Sequence, residues 1–164
     1  MDPPWNERGG GKIKRGADRH YPLMKAVEMP RVIYQSGVWR PATDAHLYMW
    51  VTNNFLPQGL WLMEALGFKY KTNVVWVKEG RPGLGQYFRG RHELLLFGVR
   101  GRGYSVRSPA RNLHSVVYAP RREHSVKPLS AYDLIKHRSL GPYLEMFCRS
   151  PQDGWTSWGN EVPS

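Results

Sequence analysis

Asp2, Pro3, Pro4 and Trp5 put an acid, two prolines and an aromatic in four consecutive positions, a set suited to chemistry on an amino-bearing base. Each proline fixes φ and lacks an N–H, so the neighbouring carbonyls are held in place and kept out of a helix ladder. The amino nitrogen of a purine is a poor nucleophile because its lone pair is delocalised into the ring. Hydrogen bonds from that group to the Asp2 carboxylate and the Pro3 carbonyl would return density to the nitrogen. Trp5 offers a face on which a base can stack, a contact worth ~1–3 kcal/mol per base. A four-residue Pro-rich segment is also an ordinary turn, so the rest of the chain has to supply the context.

That context is an alternation of strand-like and helix-like segments, the signature of an α/β fold. Residues 46–51 read as a strand, and 55–66 as a helix with apolar Leu60, Leu62, Met63 and Leu66. Residues 71–77 read as the next strand after a stop at Gly67. Together they make a βαβ unit, right-handed by rule. Residues 93–99 read as a buried strand, 116–118 as a short one, 129–137 as a helix and 143–147 as a strand running into a loop. Ligands of open α/β sheets bind at the carboxyl ends of the strands, which is where Asp2 and the loop after Phe147 belong. Gly83-Leu84-Gly85 is a fragment of a glycine-rich phosphate loop with no strand leading into it, and reads as a turn. His92-Glu93 has the form of a functional pair, though an ordinary loop-to-strand junction is the simpler reading.

The length of 164 residues suits one domain, and 41% hydrophobic with 13% aromatic residues gives it a core. The single cysteine, Cys148, excludes an internal disulfide framework and reads as a small core residue. With no signal peptide or long apolar span, the composition points to a reducing cytoplasm and no membrane partner. A net charge of +11 implies a polyanionic partner, because basic surfaces gain from counterion release on phosphates. The cations fall in loop clusters: Lys12, Lys14, Arg15 and Arg19; Arg81, Arg89 and Arg91; Arg100, Arg102, Arg107 and Arg111; Arg121, Arg122 and Lys127. Lys12, Lys14, Arg15, Arg121 and Arg122 are the candidates for nucleic-acid contact. Gly9-Gly10-Gly11 with Lys12 and Lys14 reads either as a lid over a flipped base or as a plain loop.

Further motifs follow in order: Leu47-Tyr48-Met49-Trp50-Val51-Thr52-Asn53, Trp76-Val77-Lys78, Arg91-His92-Glu93, His124-Ser125-Val126-Lys127-Pro128, Leu144-Glu145-Met146-Phe147-Cys148-Arg149 and Gly154-Trp155-Thr156-Ser157-Trp158-Gly159-Asn160-Glu161. With the opening Asp-Pro-Pro-Trp, the series resembles the S-adenosylmethionine-dependent adenine amino-methyltransferases. That family includes the messenger-RNA adenosine methyltransferase catalytic subunit and many bacterial and phage DNA enzymes. The resemblance runs from Asp2 to Val162 and is nearer to the compact phage and bacterial members. It implies a Rossmann-like methyltransferase sheet with helices on both faces and S-adenosylmethionine as cofactor. It also implies in-line methyl transfer to the exocyclic amino nitrogen of adenine, without a metal or a covalent enzyme intermediate. Asp2, Pro3, Pro4 and Trp5 would be catalytic. Carried over by position, Phe147 would line the adenosine pocket and Arg149 would reach the ribose. Asn160 and Glu161 would contact the adenosine, and Lys127 would take the methionine carboxylate. A duplex substrate would have to flip its adenine out of the stack.

The sequence departs from the family pattern at three places. Cys148 stands where a smaller residue is usual, and Ser150-Pro151-Gln152-Asp153 lacks the His-Asn pair of eukaryotic members. Only Met1 precedes the platform, where the family has a buried strand, so residues 1–164 are expected to be a single methyltransferase domain truncated at its amino terminus. Compactness favours DNA over RNA as the substrate. Cytosine is the less favoured base, since cytosine enzymes more often carry Ser and Tyr where this chain has Asp2 and Trp5. A non-catalytic nucleic-acid-binding subunit is the alternative from another class.

Overall fold

The computed structural model describes residues 1–6, 23–83, 87–110, 112–121 and 126–159. Six strands and three α-helices are described there: α1 (Met29–Gln35), β1 (Ala45–Val51), α2 (Leu56–Ala65), β2 (Lys69–Glu79), β3 (His92–Arg100), β4 (Val116–Pro120), α3 (Leu129–Arg138), β5 (Tyr143–Met146) and β6 (Trp155–Trp158). Four strands form one sheet in the order β1-β3-β2-β4, and β5 pairs with β6 in a second. β3 is antiparallel to both β1 and β2, with Met49 opposite Leu96 and Leu96 opposite Asn73, while β4 is parallel to β2. β1, β2 and β4 therefore run the same way, and their carboxyl ends share one edge of the molecule.

The expected β1-α2-β2 unit is present, with one difference: the two strands are parallel but not adjacent, because β3 lies between them. The Leu94-Leu95-Leu96-Phe97 run explains its central position. A strand apolar on both faces is most stable where both faces are covered. β1 makes the same demand. Leu47, Met49 and Val51 join a core under α1 and α2, whereas Tyr48 and Trp50 join a second core with Trp76, Ala131 and Ile135 under α3. Helices thus cover both faces, as the sequence implied.

Local chemistry sets the helix ends. α2 starts at Leu56-Pro57, where proline's missing N–H costs nothing in the first turn. It stops at Gly67, whose φ of +81° allows Gly67 N–H to reach the Glu64 carbonyl at 2.8 Å and Phe68 N–H the Met63 carbonyl at 3.0 Å. α3 ends on Lys136, His137 and Arg138, cations favoured by the helix dipole. Sequence reading missed α1 and β6. The signals for α1 were a proline in its first turn, Met29 and Ile33 four apart, and Ser36-Gly37 beyond. β6 is four residues long and is a strand because it pairs with β5.

The two sheets meet at the amino-terminal residues. The Met1 amine donates to the Tyr48 carbonyl at 2.7 Å, Trp50 N–H donates to the Met1 carbonyl at 3.1 Å, and Asp2 N–H donates to the Met146 carbonyl at 3.3 Å. Met1 therefore pairs with β1 as a parallel strand would, and Asp2 turns to β5. Beside Met1 the space between β1 and β5 opens into a cavity of about 380 Å³, lined by Leu47, Tyr48, Tyr143, Leu144 and Met146 among others.

α2 lies close on the sheet because Gly98 has no side chain; a Cβ there would sit 2.5 Å from the Met63 sulfur. Met63 is fully buried. Met63→Ala is expected to lower the unfolding free energy by about 2–5 kcal/mol, measured by urea denaturation, with the denaturant slope unchanged.

Candidate active site

Asp2 follows a residue fixed between β1 and β5, so its carboxylate emerges at the carboxyl end of the parallel strands. It is buried, and its two oxygens take two cations: Lys127 Nζ at 3.2 Å and Arg149 at 3.0 Å. Lys127 also reaches Glu93 at 2.8 Å, and Glu93 in turn pairs with Lys78. Lys78, Glu93, Lys127, Asp2 and Arg149 thus alternate in sign along one chain of contacts, three cations to two carboxylates, a net +1. Such a set can accept one further anionic group without unbalancing the interior.

Each member is placed by its local backbone. Lys127 precedes Pro128, which holds it extended ahead of α3. Glu93 opens the buried part of β3, opposite Trp76, and Lys78 lies near the end of β2. Arg149 follows Phe147, a non-glycine residue at φ +60° that turns the chain sharply after β5. Burial opposes charge on both Glu93 and Lys127. The Lys127 and Lys78 ammonium groups overcome it and pull Glu93 down to about 2, while Asp2 and Glu93 push Lys127 up to about 12.

The remaining platform residues are placed differently. Pro3 is fully buried, and its carbonyl accepts Trp5 N–H at 2.9 Å, leaving one lone-pair direction; the Pro4 carbonyl accepts Met24 N–H at 2.9 Å. Trp5 departs from the expected stacking face. It is 6% exposed, its indole N–H donates to the Trp50 carbonyl at 2.9 Å, and its ring stacks on Phe55 with centroids 5.6 Å apart. A large aromatic with a satisfied N–H is stable in a core, so here Trp5 anchors the platform from below. The Phe147 ring meets Trp158 edge-on at 5.6 Å. Arg149 is turned to Asp2. Among the basic candidates, Arg121 is exposed and donates to the Gly90 carbonyl at 3.0 Å. Lys12, Lys14, Arg15, Arg122, Asn160 and Glu161 lie outside the described residues, as do Gly9-Gly10-Gly11 and Leu84-Gly85.

A family model described as MT-A70 matches residues 1–161. The chain belongs to the MT-A70 family. It is 30% identical to the type II methyltransferase M.MunI of Mycoplasma sp, an alignment covering 99% of this chain and 76% of that protein. It is also 30% identical to human N(6)-adenine-specific methyltransferase METTL4, over 99% of this chain and 36% of the relative. With the N(6)-adenosine-methyltransferase MT-A70-like protein of Arabidopsis thaliana it shares 27%, over 98% of this chain and 23% of the relative. The family is one of methyltransferases that take their methyl group from S-adenosylmethionine. No helix among the described residues is long and apolar enough to cross a membrane.

The MT-A70 site fits that donor in its chemistry. S-adenosylmethionine carries a carboxylate, which suits the surplus cation of the Asp2 cluster, and an ammonium and a sulfonium, which suit its acids. Glu145 and Ser157, opposite each other on β5 and β6, add buried oxygens, Oε2 and Oγ, beside the Cys148 thiol. Glu93 and Lys78 stand in the quoted motifs, but the sequence reading gave neither a place in this cluster. The available signal was an acid at the head of an apolar strand, since a buried charge requires a partner.

Glu93 has a folded value below its ordinary 4.5, so the native state gains from its ionisation. That gain is complete above pH 4.5 and is lost as the pH falls through about 2. Glu93→Gln should therefore destabilise the protein by about 3–5 kcal/mol at pH 7. In chemical unfolding the difference from wild type should shrink steadily as the pH is lowered from 4.5.

Proposed function

We propose that this MT-A70 chain transfers the methyl group of S-adenosylmethionine to the exocyclic amino nitrogen of adenine in DNA. The observation that carries the reading is the Asp2 carboxylate, buried at the strand ends beside the Pro3 carbonyl and clamped by Lys127 and Arg149. When bound, S-adenosylmethionine supplies a methyl group made electrophilic by its sulfonium. Lys127 would take the carboxylate of that molecule, with one of its three N–H donors left after Asp2 and Glu93. Phe147 and Arg149 would border its adenosine.

The chain's own work in the step is positional and electrostatic. Asp2, held on both oxygens by fixed cations, is already oriented to accept an amino hydrogen of the base without reorganising. The Pro3 carbonyl takes the second hydrogen. Both bonds pull the nitrogen lone pair out of conjugation and aim it along one line, and burial excludes water as a competing acceptor. Trp5, packed on Phe55, keeps the two acceptors in register.

DNA is favoured by the type II methyltransferase name of one relative at 30% identity, type II being a class name of DNA modification. The second reading, an RNA adenosine, is supported by the adenosine-methyltransferase name of the plant relative.

Labelled S-adenosylmethionine incubated with duplex DNA and with RNA, followed by nucleoside analysis, is expected to give N6-methyldeoxyadenosine. Label in N6-methyladenosine alone would move the substrate to RNA, and no label in either polymer would favour a binding subunit. Asp2→Ala should lower turnover about 10²-fold or more while donor binding is largely kept. Lys127→Ala should instead raise the dissociation constant for S-adenosylmethionine first, read by calorimetry. Variants that lost nucleic-acid affinity alone would overturn these roles.

A further inference from the structure

Tyr87 and Phe88 are adjacent aromatics, 92% and 91% exposed, on the connection from β2 to β3. Two neighbouring aromatic rings left in water cost solubility and gain nothing from folding, so their exposure calls for a partner. The connection is held at its neck. Gly83 N–H and the Arg121 guanidinium both donate to the Gly90 carbonyl, at 2.9 and 3.0 Å, and Lys78 N–H donates to the Arg91 carbonyl at 2.7 Å.

Charge around the pair identifies the partner's class. Arg81, Arg89, Arg91 and Arg121 are all exposed around it, and across residues 79–83 and 87–91 Glu79 is the one carboxylate. Aromatic faces interleaved with guanidinium groups match a strand of nucleic acid, whose bases stack and whose phosphates pair with arginine. An apolar protein surface would leave four arginines uncompensated. The neck also joins the catalytic cluster directly: Lys78 and Glu93, one from each flanking strand, are the first two members of the charge chain that ends at Asp2 and Arg149. A polynucleotide seated on Tyr87 and Phe88 therefore lies at the same edge as the Asp2 carboxylate.

We infer that Tyr87 and Phe88 form a stacking platform for unpaired bases next to the target adenine, with Arg89 and its neighbours on the flanking phosphates. The inference rests on the nucleic-acid reading proposed above. It adds a docking element outside the Asp-Pro-Pro-Trp site.

Tyr87→Ala/Phe88→Ala and Arg89→Ala, all at exposed positions, are compared with wild type by anisotropy of labelled adenine-containing single-stranded and duplex DNA and RNA across a salt series. The aromatic double variant should lose about fivefold or more in affinity per stacked base, with the salt slope unchanged. Arg89→Ala should reduce that slope by about 0.7–0.9. Affinity for S-adenosylmethionine and thermal midpoint should be unchanged in both. A larger loss on single strands than on duplex agrees with stacking on unpaired bases, and an equal or smaller one overturns that assignment. Unchanged polynucleotide affinity in the double variant overturns the platform, and if its sedimentation shifts to a smaller species the pair is a contact between protein chains. Wild-type methylation of adenine matched by the double variant would overturn the platform alone. Wild type that binds the donor yet no polynucleotide would overturn the functional reading with it.

Discussion

The buried ammonium of Lys127 is the constraint around which the site is organised. An unpaired cation in an interior costs several kcal/mol, and the attraction of a single carboxylate only partly offsets it. Lys127 is satisfied by two carboxylates, Asp2 from the amino-terminal residues and Glu93 from β3, and those are in turn satisfied by Arg149 and Lys78. Five segments far apart in sequence are held in one place by a rule of alternating sign. Removing Lys127 splits the chain into two separate ion pairs, and removing a terminal cation leaves its acid with one partner. The same burial that encloses Asp2 places a cation on each of its oxygens.

Backbone pairing supplies the precision that the charges lack. Salt bridges tolerate several tenths of an ångström, but Met1 and Asp2 are fixed by hydrogen bonds to β1 on one side and β5 on the other. Among the described residues, those bonds join the four-stranded sheet to the β5-β6 pair through the backbone. The Trp5 indole, donating to Trp50 of β1, continues the same docking past the prolines. The segment thus acts as a splint between the two sheets, and Asp2 stands where they meet.

Much of this frame was legible in the sequence because its signals are local. The strand over residues 46–51 and the helix over residues 55–66 announced themselves by apolar patterning and by Gly67, and the elements found start or end within about two residues of those positions. Lys127, Asp2 and Arg149 were legible one by one through the family resemblance. Their mutual pairing was not, since nothing in a linear chain shows that two cations will spend their charge on one acid. Glu93, beside His92, reads equally as half of a functional pair or as a polar residue at a strand's start; its partners come from 15 residues upstream and 34 residues downstream. The insertion of β3 between β1 and β2 was hidden for a related reason. Strand order depends on which apolar face finds cover, a tertiary outcome that periodicity does not encode. Trp5, expected as a stacking face, packs on Phe55, because an aromatic after two prolines is equally good as a platform or as an anchor.

The turn after β5 links strain to this arrangement. Phe147 adopts a left-handed conformation, costly for a bulky side chain by about 1–3 kcal/mol and maintained only where surroundings over-determine it. Two contacts do so. The Cys148 N–H donates to the Trp158 carbonyl at 2.9 Å, and Gly159 lies so close that a Cβ there would stand 2.4 Å from the Cys148 carbonyl oxygen. β6 therefore clamps the turn from outside, and the clamp needs a glycine at position 159. A relaxed extended Phe147 would carry the chain on along the strand direction and take Arg149 away from Asp2. The strained turn brings the arginine back across the strand end, so the acid keeps its second cation. The Trp155–Trp158 strand, too short to be read from sequence, is on this argument what gives the Asp2 carboxylate its second partner.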